Sequence, residues 1–153
     1  MKPTPAMKPK IRALRPDDRT TWQTLWTGYL DFYRVTLPPE VTNGTWDRLV
    51  DAEVDIHGLV AEGPATGQVV GIVHFLFHPV TWSAAPRCYL EDLFVSDQAR
   101  RTGAGRALIE AVYDAADARQ ADQVYWLTEE GNHVARRLYD QVGQHTPFIK
   151  YRR

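Results

Sequence analysis

Tyr89–Leu108, which reads YLEDLFVSDQARRTGAGRAL, constrains the fold of this chain more than any other stretch. Its first residues, Tyr89, Leu90, Leu93, Phe94 and Val95, are apolar or aromatic in the manner of a strand. Ser96–Arg101 is polar apart from Ala99. Gly103 and Gly105 then open a helical pattern with Leu108, Ile109, Val112, Ala115 and Ala116 on one face. The first backbone N–H groups of such a helix have no intrahelical partner, and the helix dipole adds partial positive charge there. An anion, usually a phosphate, is held at this kind of terminus, and glycines let the backbone approach it closely.

Two common phosphate loops do not match. A nucleotide-binding P-loop needs Lys and Ser or Thr after its last glycine, whereas Gly105 is followed by Arg106 and Ala107. The dinucleotide fingerprint needs Gly or Ala three residues after the second glycine, where this chain has Leu108.

Strand and helix patterns alternate through the rest of the chain. Met1–Pro9, with three prolines and two lysines, reads as a flexible tail, and residues 10–153 as one domain. Lys10–Leu14 reads as a short strand, and Pro16-Asp17-Asp18 as a helix start. Trp22, Leu25, Trp26, Tyr29, Leu30 and Tyr33 make an amphipathic stripe. The tryptophans read as core, while Tyr29 and Tyr33, at the helix end, are placed to edge a substrate pocket. Leu37-Pro38-Pro39 ends that helix, and Asn43-Gly44 reads as a break before a short helix capped by Thr45 and carrying Trp46, Leu49 and Val50. Asp51, Glu53 and Asp55 form an acidic run, either a solvated face or a contact for a cationic substrate. Strands are expected at 57–62, 69–78, 87–95, 123–128 and 148–151, with a helix over 132–142. This order predicts a mixed α/β sheet.

Period-two alternation puts Glu91 on the face of Tyr89 and Leu93, and Asp92 on the face of Leu90 and Phe94. The two acids reach one site only if a bulge intervenes.

A formal charge of −1 argues against a nucleic-acid partner. No stretch is long and apolar enough for a membrane span or a signal peptide. One cysteine, Cys88, permits no intrachain disulfide and fits a reducing compartment, so a cytoplasmic location is expected. Cys88 has no convincing histidine partner and reads as a packing residue. The five histidines show no zinc spacing, so no metal is implied.

Arg100-Arg101-Thr102-Gly103-Ala104-Gly105 resembles the Q/R-x-x-G-x-G/A signature of the GNAT superfamily of acyl-CoA-dependent N-acetyltransferases. Leu90-Glu91-Asp92-Leu93-Phe94-Val95 is similar to the strand before that loop, above all in the diamine (spermidine/spermine-type) enzymes. Asn132–Gly143, NHVARRLYDQVG, is similar to the family's later N-x-x-A-x-x-x-Tyr-x-x-x-G helix. The resemblance implies a GNAT fold, a mixed and mostly antiparallel sheet flanked by helices. It implies acetyl transfer from acetyl-CoA to a primary amine, a small cationic amine or polyamine, by direct attack in a ternary complex.

In those terms the backbone of Arg101, Thr102, Gly103, Ala104, Gly105 and Arg106 holds the CoA pyrophosphate, with Arg100 orienting the loop or adding charge. Leu93, Phe94 and Val95 pair with the pantetheine arm, as an added strand would. Asn132 contacts the pantetheine region and is also a natural helix N-cap. Glu91 is the general base, directly or through a water, and Asp92 a ligand of the substrate ammonium or an alternative base. Tyr139 is the general acid for the thiolate. Two other readings remain: a protein-lysine acetyltransferase, and a non-catalytic acyl-CoA-binding module on the same fold. Only ten residues follow Gly143, fewer than many GNAT domains carry there, so the final strand is expected to complete the sheet alone or across a homodimer.

Overall fold

The computed structural model describes residue 2 and residues 7–153, so most of the expected tail at 1–9 lies outside the described residues. The elements run β1 (Lys10–Ala13), a 3₁₀ turn (Pro16–Asp18), α1 (Arg19–Phe32), α2 (Pro39–Val50), β2 (Ile56–Glu62), β3 (Val69–His78), β4 (Arg87–Val95), a 3₁₀ turn (Asp97–Ala99), α3 (Ala104–Ala118), β5 (Val124–Tyr125) and α4 (His133–Val142). The five strands lie in the order β1-β2-β3-β4-β5. All neighbours are antiparallel except β4 and β5, which are parallel, so the expected mixed sheet is present.

Each face of the sheet carries its own apolar layer. Trp22, Leu25 and Trp26 of α1 and Trp46 and Leu49 of α2 pack on Val60, Ile72 and Phe94. Leu108, Ile109, Val112 and Ala116 of α3 pack on Ala61, Val73, Phe75, Cys88 and Leu90. Gly28 lets α1 come close to β4: a Cβ there would stand 2.8 Å from the Phe94 ring. Arg12 joins β1 to the start of α1. Its guanidinium makes two contacts with Asp18, at 2.7 and 2.9 Å, and one with Glu62.

The structure corrects four sequence expectations. Asn43-Gly44 is not a break but lies inside α2, which starts at Pro39 rather than at a Thr45 cap. Proline at the first helical position is pre-set for the helix, and the buried Trp46 and Leu49 outweigh the ~1 kcal/mol that a mid-helix glycine costs. The fifth strand is two residues rather than the span 123–128. The final strand expected at 148–151 is absent, and Phe148, Ile149 and Tyr151 are exposed in a segment that pairs with no described strand.

The fourth correction concerns β4. His74 pairs with Asp92 and Phe75 with Leu90, so Glu91 has no opposite residue and forms a β-bulge. The bulge resets the alternation. Leu90 and Leu93 share the α3 side, whereas Phe94 lies on the α1 side, opposite Leu90.

Candidate active site

The loop after β4 is shaped for a helix start with free donors. Arg101 and Gly103 have φ of 66° and 86°, in the left-handed region. The first α-helical hydrogen bond is Ala107 N–H to the Gly103 carbonyl, at 2.9 Å, so the amides of Ala104, Gly105 and Arg106 have no intrahelical partner. A Cβ built on Gly103 meets nothing within 4 Å, so the chain itself leaves the space before the helix clear. Thr102 Oγ1 donates to the Ala99 carbonyl, and Arg100 pairs with Asp97 at 2.9 Å. These contacts brace the loop from within, and the Arg100 contact fits an orienting role. The Arg106 side chain turns away to Gln141 of α4. The donors, the open space and the positive dipole end suit the pyrophosphate of CoA.

Beside this loop the sheet opens. β4 and β5 pair only at Cys88–Val124 and Tyr89–Tyr125. The bulge at Glu91 follows at once, and bulges twist and bend the strand that carries them. From Asp92 to Val95, β4 is paired with β3 alone among the described residues. Its other edge, along Leu93, Phe94 and Val95, offers backbone groups to an extended amide chain.

The bulge also sets Asp92 opposite His74. Asp92 and Glu91 both act on the Tyr29 phenol, whose pKa is raised first by burial and then by the charge of Asp92. Tyr33, at the end of α1, lies 5.0 Å from Tyr29 between ring centroids. Its pKa is raised by burial and by the charge of Glu129, while the Thr128 hydroxyl acts in the opposite direction. The Glu91 carboxyl is raised above its ordinary value by partial desolvation and by Asp92, with Lys150 pulling the other way. Asp92, Tyr29 and Tyr33 are therefore neighbours at the end of α1, and the exposed Glu91 reaches Tyr29 only through its charge.

Tyr139 lies on α4. It packs edge-on to Trp126 at 5.5 Å, and burial, with Tyr33 nearby, pushes its pKa up to about 12. The phenol stays protonated at neutral pH and is a standing donor. Asn132 caps α4: its Oδ1 accepts from Ala135 N–H at 3.4 Å, and its Nδ2 donates to Thr128 Oγ1 at 3.2 Å.

Sequence reasoning missed His74. It is 1% exposed, and its Nδ1 lies 2.9 Å from Asp92 Oδ2. Its Nε2 accepts the Trp22 indole N–H, also at 2.9 Å. The signal was a lone polar side chain in the apolar run VVGIVHFLF of β3, since a buried polar group needs a partner.

Two other features stay apart from the site. In the acidic run, Asp55 is held by Arg119 at 2.7 Å and by His57 at 2.6 Å, beside a cavity of about 300 Å³ lined by Phe77, His78 and Pro86. Cys88 is fully buried, and desolvation pushes its thiol up to about 11, which suits packing and not nucleophilic attack.

Residues 19–144 match the acetyltransferase (GNAT) family. The chain is 38% identical over 143 residues to the D-amino-acid N-acetyltransferase HPA3 of Saccharomyces cerevisiae, covering 94% of this chain and 89% of the yeast protein. It is 31% identical over 147 residues to the uncharacterized N-acetyltransferase YhfO of Bacillus subtilis, covering 92% and 94%. Among solved structures it is similar to an aminoglycoside acetyltransferase, AAC(6')-Iy, in complex with a CoA-linked bisubstrate analogue. That likeness has a TM-score of 0.81 at 17% identity over 95% of this chain and 97% of that one. A ribosomal-protein-alanine N-acetyltransferase from Brucella melitensis aligns with a TM-score of 0.77 at 20% identity, covering 94% and 96%. The free amides before α3, the parted strands β4 and β5, and the match across most of its length agree: the chain belongs to the GNAT family of acetyl-CoA-dependent N-acetyltransferases.

Proposed function

We propose that this enzyme acetylates a small-molecule primary amine, taken up as a cation between Tyr29, Tyr33, Glu91 and Asp92. The observation that carries this reading is the bulge at Glu91, which sets Asp92 beside the Tyr29 phenol near the parting of β4 and β5 and leaves the exposed Glu91 as the adjacent charge. Tyrosine faces and carboxylates together favour an ammonium over a neutral or anionic group.

In this reading the amides at the start of α3 hold the CoA pyrophosphate, and the open edge of Leu93–Val95 pairs with the pantetheine arm. Asn132 stands near that arm while capping α4. Asp92 binds the ammonium. Glu91, directly or through a water, takes its proton, because an ammonium has no lone pair with which to attack. An ordinary glutamate, near ~4.3, is a weak base for an amine near ~10.4. The raised Glu91 narrows that gap. The neutral amine attacks the thioester carbonyl, and a backbone N–H on the open edge donates to the oxyanion. The C–S bond then breaks, and Tyr139 donates to the departing thiolate. With its phenol at about 12 and a thiol near ~8.5, Tyr139 stabilises the thiolate through a hydrogen bond more readily than by complete proton transfer.

A specific observation favours one acceptor class within this reading. The relative at 38% identity is named for D-amino acids, and Lys150 supplies a cation near Glu91 that suits the carboxylate of an amino acid. Polyamines instead use the acids alone. Thiol release from acetyl-CoA separates the choices with D-lysine, D-alanine, spermidine, putrescine, a lysine-bearing peptide and an aminoglycoside as acceptors. Turnover of D-alanine and D-lysine with silent polyamines selects the amino-acid acceptor, and the reverse selects the polyamine. Turnover of the peptide alone overturns the small-molecule reading. Acetyl-CoA protection against heat with no turnover of any acceptor selects the non-catalytic module.

We further propose a homodimer in which the Phe148–Tyr151 segments are covered by a second copy. Three large apolar side chains there are exposed by 82%, 75% and 86%, and β5, at two residues, leaves most of its flank unpaired. The one cysteine is free and buried, and no described helix is long and apolar enough to cross a membrane. On those features we place the enzyme in the cytoplasm.

A further inference from the structure

Trp22 and His74 sit behind the acceptor pocket, one step removed from it. The two rings pack 6.0 Å apart between centroids, and Trp26 closes over His74 at 5.4 Å. Both Trp22 and His74 are buried to within 1% of completely. An indole N–H can only donate. Its 2.9 Å contact therefore requires an unprotonated Nε2 on His74. The ring proton is then confined to Nδ1, which faces Asp92 Oδ2 at 2.9 Å and donates to it. The donor order runs Trp22 to His74 to Asp92, with no choice of tautomer left open. It also removes His74 from proton transfer, because Nε2 is already occupied.

We propose that His74, locked by Trp22, is a positioning residue for the acceptor: it holds Asp92 by Oδ2 and so fixes the direction in which the carboxylate faces the ammonium. The bulge makes this possible. It places Asp92 directly opposite His74 in the β3–β4 ladder and turns both towards α1. A carboxylate here without such a donor would be free to rotate about its side-chain torsions. This inference rests on Asp92 as the ammonium ligand.

The tautomer is read first, by ¹⁵N-histidine NMR on the intact wild-type protein. The expected pattern is a protonated Nδ1 and a bare Nε2 on His74, lost in Trp22→Phe. A protonated Nε2 in the wild type overturns the proposal, whatever the variants do. Kinetics follow with D-lysine as acceptor. His74→Leu is expected to raise the acceptor KM roughly tenfold, the value of one charge-assisted hydrogen bond, with the acetyl-CoA KM within about twofold of wild type. His74→Asn keeps a side-chain N–H near the Nδ1 position and is expected to recover most of that loss. Equal impairment of both variants, or a folded His74→Leu with unchanged acceptor KM, overturns the proposal. Asp92→Asn separates the two layers of the argument. If it raises the acceptor KM and His74→Leu does not, the His74 role fails and the Asp92 role stands. If it leaves the acceptor KM unchanged, both fail.

Discussion

Tyr139 shows how much of a catalytic assignment rests on surroundings. As one residue in a helical pattern it is a phenol near ~10. In the folded chain, burial and Tyr33 carry it to about 12 and Trp126 packs against its ring. Tyr139→Phe keeps the packing and removes the donor. We expect kcat to fall by about 10- to 100-fold, at the lower end of what a positioned acid supplies, with acetyl-CoA affinity within about twofold by calorimetry. Unchanged turnover would remove Tyr139 from the mechanism. Glu91 is the complementary case. Its carboxyl is raised, so as a base it is inactive at low pH and gains activity only as the pH climbs past the ordinary carboxylate range. The acidic limb of kcat/KM is expected above the usual glutamate value in the wild type and absent in Glu91→Gln, with kcat reduced about 100-fold. Retention of the limb in that variant would assign it to another group.

At the scale of elements, two junctions decide the architecture. One is the turn into α3, where Gly103 has φ of 86°. A β-branched side chain is strained there by about 1–2 kcal/mol. Nothing in the chain obstructs it, so Gly103→Val should fold with a modestly lower Tm. Its methyl groups would enter the space assigned to phosphate, and acetyl-CoA affinity should fall at least about tenfold by calorimetry. Near-normal affinity in a folded Gly103→Val protein would undo the loop assignment. The other junction ties β1 to α1 through Arg12. The guanidinium holds the Asp18 carboxyl below its ordinary range, with the Arg15 backbone N–H helping, against the cost of desolvation. A carboxyl depressed by folding contributes stability that is complete above its unfolded value of ~3.9 and is lost as the pH falls through its folded value. Asp18→Asn should cost about 2–3 kcal/mol at neutral pH in urea melts, since Glu62 still engages Arg12. The deficit should shrink in acid, where the wild type also loses the charge. An equal deficit at all pH values would show that packing, and not charge, is what the substitution removes.

For the whole molecule, two cores on opposite faces of one sheet leave a single weak boundary, where β4 leaves β5. That is also where the proposed site lies. A gap in a sheet is costly unless something fills it, because unpaired backbone groups want partners. In the proposed reading the co-substrate fills this gap. The C-terminal segment is the other unfilled feature, with Phe148, Ile149 and Tyr151 exposed. Light scattering after size exclusion should give twice the mass of one chain at micromolar concentration, and removal of residues 147–153 should return it to one chain. A monomer in the intact protein at high micromolar concentration would refute the dimer.

The elements legible from the chain were those with a strong local pattern. The span of β4, the loop glycines, the stripe of α3 and the Asn132 cap all follow from periodicity and backbone chemistry within about twenty residues. The resemblance of Arg100–Gly105 and Asn132–Gly143 to one family pointed to the same chemistry as the fold and the family match. Other features were set by contacts between distant segments. The bulge at Glu91 depends on how β4 registers against β3, and no run of residues within β4 encodes it. The continuity of α2 through Asn43-Gly44 depends on Trp46 and Leu49 finding a core. β5 pairs with β4 only up to Tyr89–Tyr125, just before the bulge at Glu91. The partnership of Trp22, His74 and Asp92 is made by contacts 52 and 18 positions apart in the chain. Local spacing carries backbone preference and side-chain period. Which polar groups meet in the interior is settled by packing, because only the assembled layers exclude the water that would otherwise satisfy them.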